Sequence, residues 1–162
     1  EEDQTLVSRS ELLARIITTL GGRAAEQVVF GAPELTTGAS GDLQRVTSLA
    51  RQMVTRFGMS NIGPIALEDE NNGQIFLGAN MTPENSDYAE SLADRIDDQV
   101  CKIINYCEQK SVEIIIDNRV IIDLIVEKLL DIETMDGTEF RELLSTYTVL
   151  PDKKTPYVSK FS

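Results

Sequence analysis

From Leu12 onward apolar residues recur at helical spacing: Leu12, Leu13, Ile16, Ile17, Leu20, Ala24, Val28 and Val29 fall on one face. Ser8 and Glu11 have the spacing of a capping box, which starts this helix at Ser8, with Val7 placed to staple onto Leu12. Gly21-Gly22 interrupts the stripe. Two glycines there cost about 1 kcal/mol each relative to alanine, which predicts either a kink or a close backbone approach. Gly31-Ala32-Pro33 ends the segment. A second stripe of Leu43, Val46, Leu49, Ala50, Met53, Val54 and Phe57 predicts another helix, stopped by Gly58.

Residues 59–86 are irregular, rich in Gly, Asn and Pro, with room for two short strands at Ile62 to Leu67 and Gln74 to Gly78. Ser86 or Asp87 then opens the longest helix. Its stripe of Leu92, Ile96, Val100, Ile103, Ile104, Cys107, Ser111, Ile114 and Ile115 runs roughly 40 Å at 1.5 Å per residue. Asp117-Asn118 interrupts it, Ile121 to Ile132 continue in a shorter helix, and Asp136 with Glu139 boxes a third one. The pattern predicts a mainly α fold whose second half is an antiparallel helical hairpin with a short cap, and whose tail after Thr146 is irregular.

Composition changes this picture little. At 162 residues, with 41% hydrophobic and 26% charged positions, the chain suits one folded, soluble domain, or a domain with an appended helical hairpin. It opens at Glu1-Glu2-Asp3 without Met and reads as a piece of something longer. Ten acidic and six basic residues precede Met81 (net -4), and seventeen and nine follow it (net -8). The acidic second half argues against nucleic acid as a partner and suits a solvated helix face. No apolar run exceeds three residues, as in Ile114-Ile115-Ile116, too short to span a bilayer. Cys101 and Cys107, six apart on one helix, are poorly placed for a disulfide and read as a free thiol and a small buried hydrophobe.

Candidate chemistry is sparse. The chain has no histidine, which removes the commonest general base and most zinc sites, and it has no phosphate-binding loop. Among the acids, Asp42 follows the turn Thr36-Thr37-Gly38-Ala39-Ser40-Gly41, where a carboxylate either caps its helix or ligates something outside it; the cap is the commoner use. Glu26 follows Arg23 at i,i+3 and reads as its ion-pair partner. Glu11 and Glu26 do not form an obvious dyad. Asp97 and Asp98, beside Arg95 and Lys102, read as a charged helix face. Arg23 gains importance if the Gly-Gly bend turns it inward.

The run Leu20-Gly21-Gly22-Arg23-Ala24-Ala25-Glu26, with Val29-Phe30-Gly31 and Thr36 to Leu43, resembles the peptidase domain of the FtsH family, membrane-anchored ATP-dependent zinc metalloproteases. The likeness continues through Ala50 to Thr55, Phe57 to Ser60, Ile96 to Val100 and Leu130 to Phe140, and covers nearly all of residues 1–146. It implies a partial peptidase domain over 1–146, with metal-supporting helices at 1–58, the irregular segment at 59–86, the hairpin and cap at 87–146, and a tail at 147–162. It further implies a parent with a membrane anchor, an ATPase module using ATP and magnesium, and a hexameric ring of identical or related subunits that degrades membrane and misfolded proteins. The family's His-Glu-x-x-His helix, which supplies two zinc ligands and the general base, would precede Glu1, so this stretch alone would be inactive. Asp42 matches the third zinc ligand. Gln27 and Gln99 stand where the family often has Glu. The wording is closest to plastid and cyanobacterial members, implying a thylakoid protease with this domain on the stromal or cytoplasmic side. A non-catalytic helical scaffold, or oligomerisation or protein-binding domain, is the alternative.

Overall fold

A computed structural model describes residues 6–64 and 86–148, with 86–89 by backbone only. Over these residues the chain forms six α-helices: α1 (Arg9–Thr19), α2 (Gly21–Phe30), α3 (Ser40–Thr55), α4 (Ser86–Asp117), α5 (Arg119–Ile132) and α6 (Gly137–Tyr147). Single 3₁₀ turns at Ala32–Glu34 and Thr37–Ala39 lie between α2 and α3. No strand occurs among the described residues. Residues 62–64 form no strand, and the rest of the two segments read as strands lies outside the described residues.

The start of α1 follows its sequence. Ser8 N–H donates to Glu11 Oε2 at 2.6 Å, and Glu11 N–H donates to Ser8 Oγ at 3.3 Å, closing the capping box. The Gly-Gly pair proves to be a kink. Leu20 closes α1 and opens α2 at φ -77° and ψ -8°, and a Cβ built on either Gly21 or Gly22 meets nothing within 4 Å. The kink rotates the stripe, so Ala24 is buried while Val29 is exposed, contrary to the continuous apolar face expected. Phe57 also leaves its stripe: α3 ends at Thr55, Gly58 turns the chain at φ 60°, and the ring lies 5.8 Å from the Arg56 guanidinium.

The core lies where α1 and α3 meet α4. Ile16, Val46, Ala50, Met53, Val54, Ile96 and Cys107 are almost wholly buried, and α2 packs on α4 beside them. Cys107 Sγ and Ser111 Oγ, one turn apart on α4, point to the carbonyls of Leu13 (3.9 Å) and Ile17 (3.2 Å) on α1. Burial pushes the Cys107 thiol up to about 12, so it stays protonated and packs as a small hydrophobe. Cys101 is an exposed free thiol.

The second half is helical in the expected order, but α5 packs on α4 only sparsely. Asn118 alone joins the two, which leaves little room for a fold-back, and of α5 only Ile121 is buried. Val120, Val126 and Leu130 face outward. Asp136 caps α6 from one side, accepting from Thr138 N–H (2.7 Å) and Glu139 N–H (2.9 Å).

Two outcomes follow from this packing. Ile16→Ala is expected to destabilise the chain by about 2–5 kcal/mol in urea unfolding, and Leu130→Ala by no more than about 0.5; equal costs would contradict the assigned core. The backbone N–H donors of Glu139 and then Thr138 hold the Asp136 carboxyl below its ordinary 3.8. A depressed folded value stabilises the cap above the unfolded value, and that contribution is lost as pH falls through the folded one. NMR titration should therefore give Asp136 a midpoint under 3.8, with the first turn of α6 loosening in the same range; a midpoint at or above it rules out the cap.

Candidate metal centre

Asp42 stands at the third position of α3, following Ala39, Ser40 and Gly41. Ala39 offers no side-chain cap. Among the described residues no hydrogen bond to the Asp42 carboxylate is found, and its one charged partner is Arg45, a helical turn on, at 3.8 Å. Its side chain is 48% exposed, so its oxygens can be reached from outside, while the uncapped N–H groups of α3 favour negative charge there. The helix-cap use of this carboxylate, the commoner one on residues alone, is not made.

The backbone that delivers Asp42 is fixed from α2. Glu26 accepts from Thr36 N–H (Oε2, 3.1 Å) and from Thr36 Oγ1–H (Oε1, 3.0 Å). Thr36 Oγ1 in turn accepts from Gly38 N–H at 3.3 Å, which nucleates the 3₁₀ turn running directly into α3. Gly38 suits this turn, because a Cβ there would sit 3.2 Å from Thr36 Oγ1. Small residues from 37 to 41 let the chain turn twice within five positions, and one carboxylate clasps the entry.

This arrangement corrects the Arg23–Glu26 pairing read from the sequence and gives Asp97 a partner off its own helix. Glu26 goes to Thr36, while Arg23 reaches α4 and Glu108 at 3.5 Å, with its side chain half-buried as the inward reading required. Asp97 ties α4 to α3 through Arg51 Nη2 at 2.6 Å and pairs with neither neighbour on its own helix. Asp98 does pair with Lys102, at 2.6 Å, and its carboxyl is held low chiefly by that contact. Glu11 is occupied by the α1 cap, so Glu11 and Glu26 serve separate ends of two helices. Helical spacing carried no sign of the Glu26–Thr36, Arg51–Asp97 or Asn61–Gln99 contacts, each of which leaves the helix it starts from.

Nothing else described competes as a centre. No group of three His, Cys, Asp or Glu side chains converges among the described residues, so Asp42 fits one position of a metal site and no more. A cavity of about 200 Å³, lined by residues including Arg9, Leu13, Met59 and Ile103, contains none of residues 36–45. It is small for a substrate site and brings no acid–base pair together. No described helix is long and apolar enough to cross a membrane.

A sequence model described as peptidase family M41 matches residues 1–143. The chain is 76% identical over 162 residues to an ATP-dependent zinc metalloprotease FtsH of Trieres chinensis, covering 100% of this chain and 25% of that protein. It is 47% identical over 160 residues to the protein of that name from Heterosigma akashiwo, covering 99% and 24%. It is 53% identical over 150 residues to ATP-dependent zinc metalloprotease FTSH 6, chloroplastic, of Arabidopsis thaliana, covering 93% and 22%. The chain thus spans about a quarter of the length of the curated relatives it matches.

If Glu26 holds the loop, Glu26→Ala should speed amide exchange at Thr36 and Gly38 and leave α3 from Val46 onward unchanged. A double-mutant cycle with Thr36→Ala should give a coupling of about 1 kcal/mol, the size of a partly exposed charge-assisted hydrogen bond. Unaltered exchange at both amides would show that the loop holds itself.

Proposed function

Because the chain belongs to peptidase family M41, we propose that it is the C-terminal part of the peptidase domain of an ATP-dependent zinc metalloprotease, and that Asp42 is its zinc ligand. The single observation that carries the site is the half-exposed carboxylate at the start of α3, free of hydrogen bonds among the described residues and aimed by a loop clasped from a second helix.

A bound zinc supplies Lewis-acid polarisation and a water acidic enough to act near neutral pH. This chain's residues contribute position and charge. Asp42 offers one hard oxygen donor. Glu26 and Thr36 fix its backbone, and Arg45 is near enough to orient the carboxylate while the site is open. With no histidine in the sequence, the remaining ligands and the general base belong to another stretch of the whole protein, and this stretch alone is inactive.

Residues 1–58 then support the metal, 87–146 supply the helix α4 on which they pack together with α5 and the cap α6, and the whole covers a partial peptidase domain at 1–146. The parent would carry an ATPase module using ATP and magnesium and would work as a hexamer of identical or related subunits on membrane and misfolded proteins. Relatives named chloroplastic support a plastid location, at the thylakoid with this domain on the stromal side. A second reading, a non-catalytic helical scaffold or protein-binding domain, draws on α5 and α6, which between them bury only Ile121.

The test is zinc content and proteolysis of the full-length protein, wild type against Asp42→Ala. Loss of both, with the helical circular dichroism retained, is the expected result. Zinc and activity at wild-type levels in Asp42→Ala would remove the ligand role and leave the scaffold.

A further inference from the structure

The C-terminal end of α2 is completed from far along the chain. Its last turn contains no basic residue, and beyond Phe30 the backbone swings away through Gly31 at φ 91°. Gly31 N–H returns to the Gln27 carbonyl at 3.0 Å. The next carbonyl, that of Val28, accepts from Arg119 Nη1 at 3.3 Å. Arg119 is the first residue of α5, and its Nε is held 2.9 and 3.0 Å from the two carboxylate oxygens of Asp123, one turn along the same helix. One guanidinium therefore joins α5 to the end of α2, where the unpaired carbonyls and the helix dipole favour a cation.

That half of α2 also bears Glu26, and the chain leaving it becomes the loop that Glu26 clasps at Thr36. The direction of α2's last turn consequently sets where the loop begins relative to Glu26, and so whether Thr36 meets its clasp. We propose that Arg119 is a positioning residue for the metal ligand Asp42, acting through the end of α2. The inference rests on the reading of Asp42 as ligand. Arg119 touches neither metal nor substrate; it holds the helix from which the ligand loop departs. It also gives the C-terminal helices a route to the metal. Because α5 buries only Ile121, a shift of α5 moves Arg119 against α2 without dismantling the core.

The experiment uses the full-length protein, with zinc affinity measured by chelator competition and the cobalt-substituted form followed by its visible absorption. Arg119→Ala should weaken zinc binding by about tenfold, the lower end for loss of an outer-shell support, and alter the cobalt bands. Arg119→Lys, which keeps the charge without the fork, should recover much of the affinity. Asp123→Ala, which frees the guanidinium while leaving it in place, should fall between wild type and Arg119→Ala, and it carries the test if Arg119→Ala does not fold. Wild-type zinc affinity and cobalt spectrum in Arg119→Ala or Asp123→Ala, in a protein where Asp42→Ala abolishes binding, would overturn the inference alone. So would a loss that Arg119→Lys leaves unrecovered while both Arg119 variants melt equally early. Undiminished zinc binding in Asp42→Ala would overturn the site and this inference together.

Discussion

Burial against one face of α4 is the constraint from which the rest of the structure follows. Among the described helices α4 alone packs on α1, α2 and α3, and its buried residues Leu92, Ile96, Val100, Ile103, Cys107 and Ser111 step by three or four between positions 92 and 111. Each large apolar side chain so buried contributes about 1.5–3 kcal/mol. Exposed ion pairs such as Asp98–Lys102, screened by solvent, contribute far less. The apolar face therefore decides that the bundle forms. The polar contacts decide its register: Cys107 and Ser111, four apart, meet the carbonyls of Leu13 and Ile17, also four apart, and side chains this small let the two backbones approach.

A different kind of constraint governs the stretch between α2 and α3. Thr36 to Gly41 offers no large apolar side chain to bury, so hydrophobic packing, which is non-directional, has nothing to hold. Directional contacts replace it. The Glu26 carboxylate meets both donors of Thr36, and the Thr36 oxygen meets Gly38 N–H, so three residues without core contacts acquire one conformation. Asp42 is thus placed from two sides. Val46, Ala50 and Met53 anchor its helix in the core, while the clasp and the end of α2 fix the approach.

These two regimes explain what could be read from the sequence. Helix existence, most helix ends and most of the buried face were legible, because a 3.6-residue period and the Ser8–Glu11 spacing are local signals. Val29 and Phe57 left their stripes where a backbone turn intervened, at Leu20 and near Gly58, and periodicity does not report the angle of a turn. The sparse packing of α5 on α4 was hidden for the same reason, since Asn118 reads equally well as a hairpin turn or a break. At the candidate centre Asp42 was visible by its place after a glycine-rich turn, whereas its support was not. Glu26 has a plausible partner three residues away in Arg23, and only the tertiary arrangement sends each of them elsewhere.

On the ligand reading, Arg45 raises an apparent conflict, since a guanidinium 3.8 Å from the carboxylate competes with a cation for the same oxygen. Magnitudes resolve it. The pair is long, Arg45 is 82% exposed, and such surface pairs contribute about 0–1 kcal/mol. A complete zinc ligand set contributes about 10–16 kcal/mol near neutral pH, so even a fractional share assigned to one carboxylate exceeds what Arg45 offers. Had Asp42 been committed to two backbone N–H groups as Asp136 is, binding would have required breaking two charge-assisted hydrogen bonds first. Asp136 and Asp42 both lie near the start of a helix, yet only the second keeps its oxygens free of such bonds among the described residues. A carboxylate opposite a weak, exposed cation exchanges partners at little cost, and this distinguishes a side chain that can ligate from one that serves only its own helix.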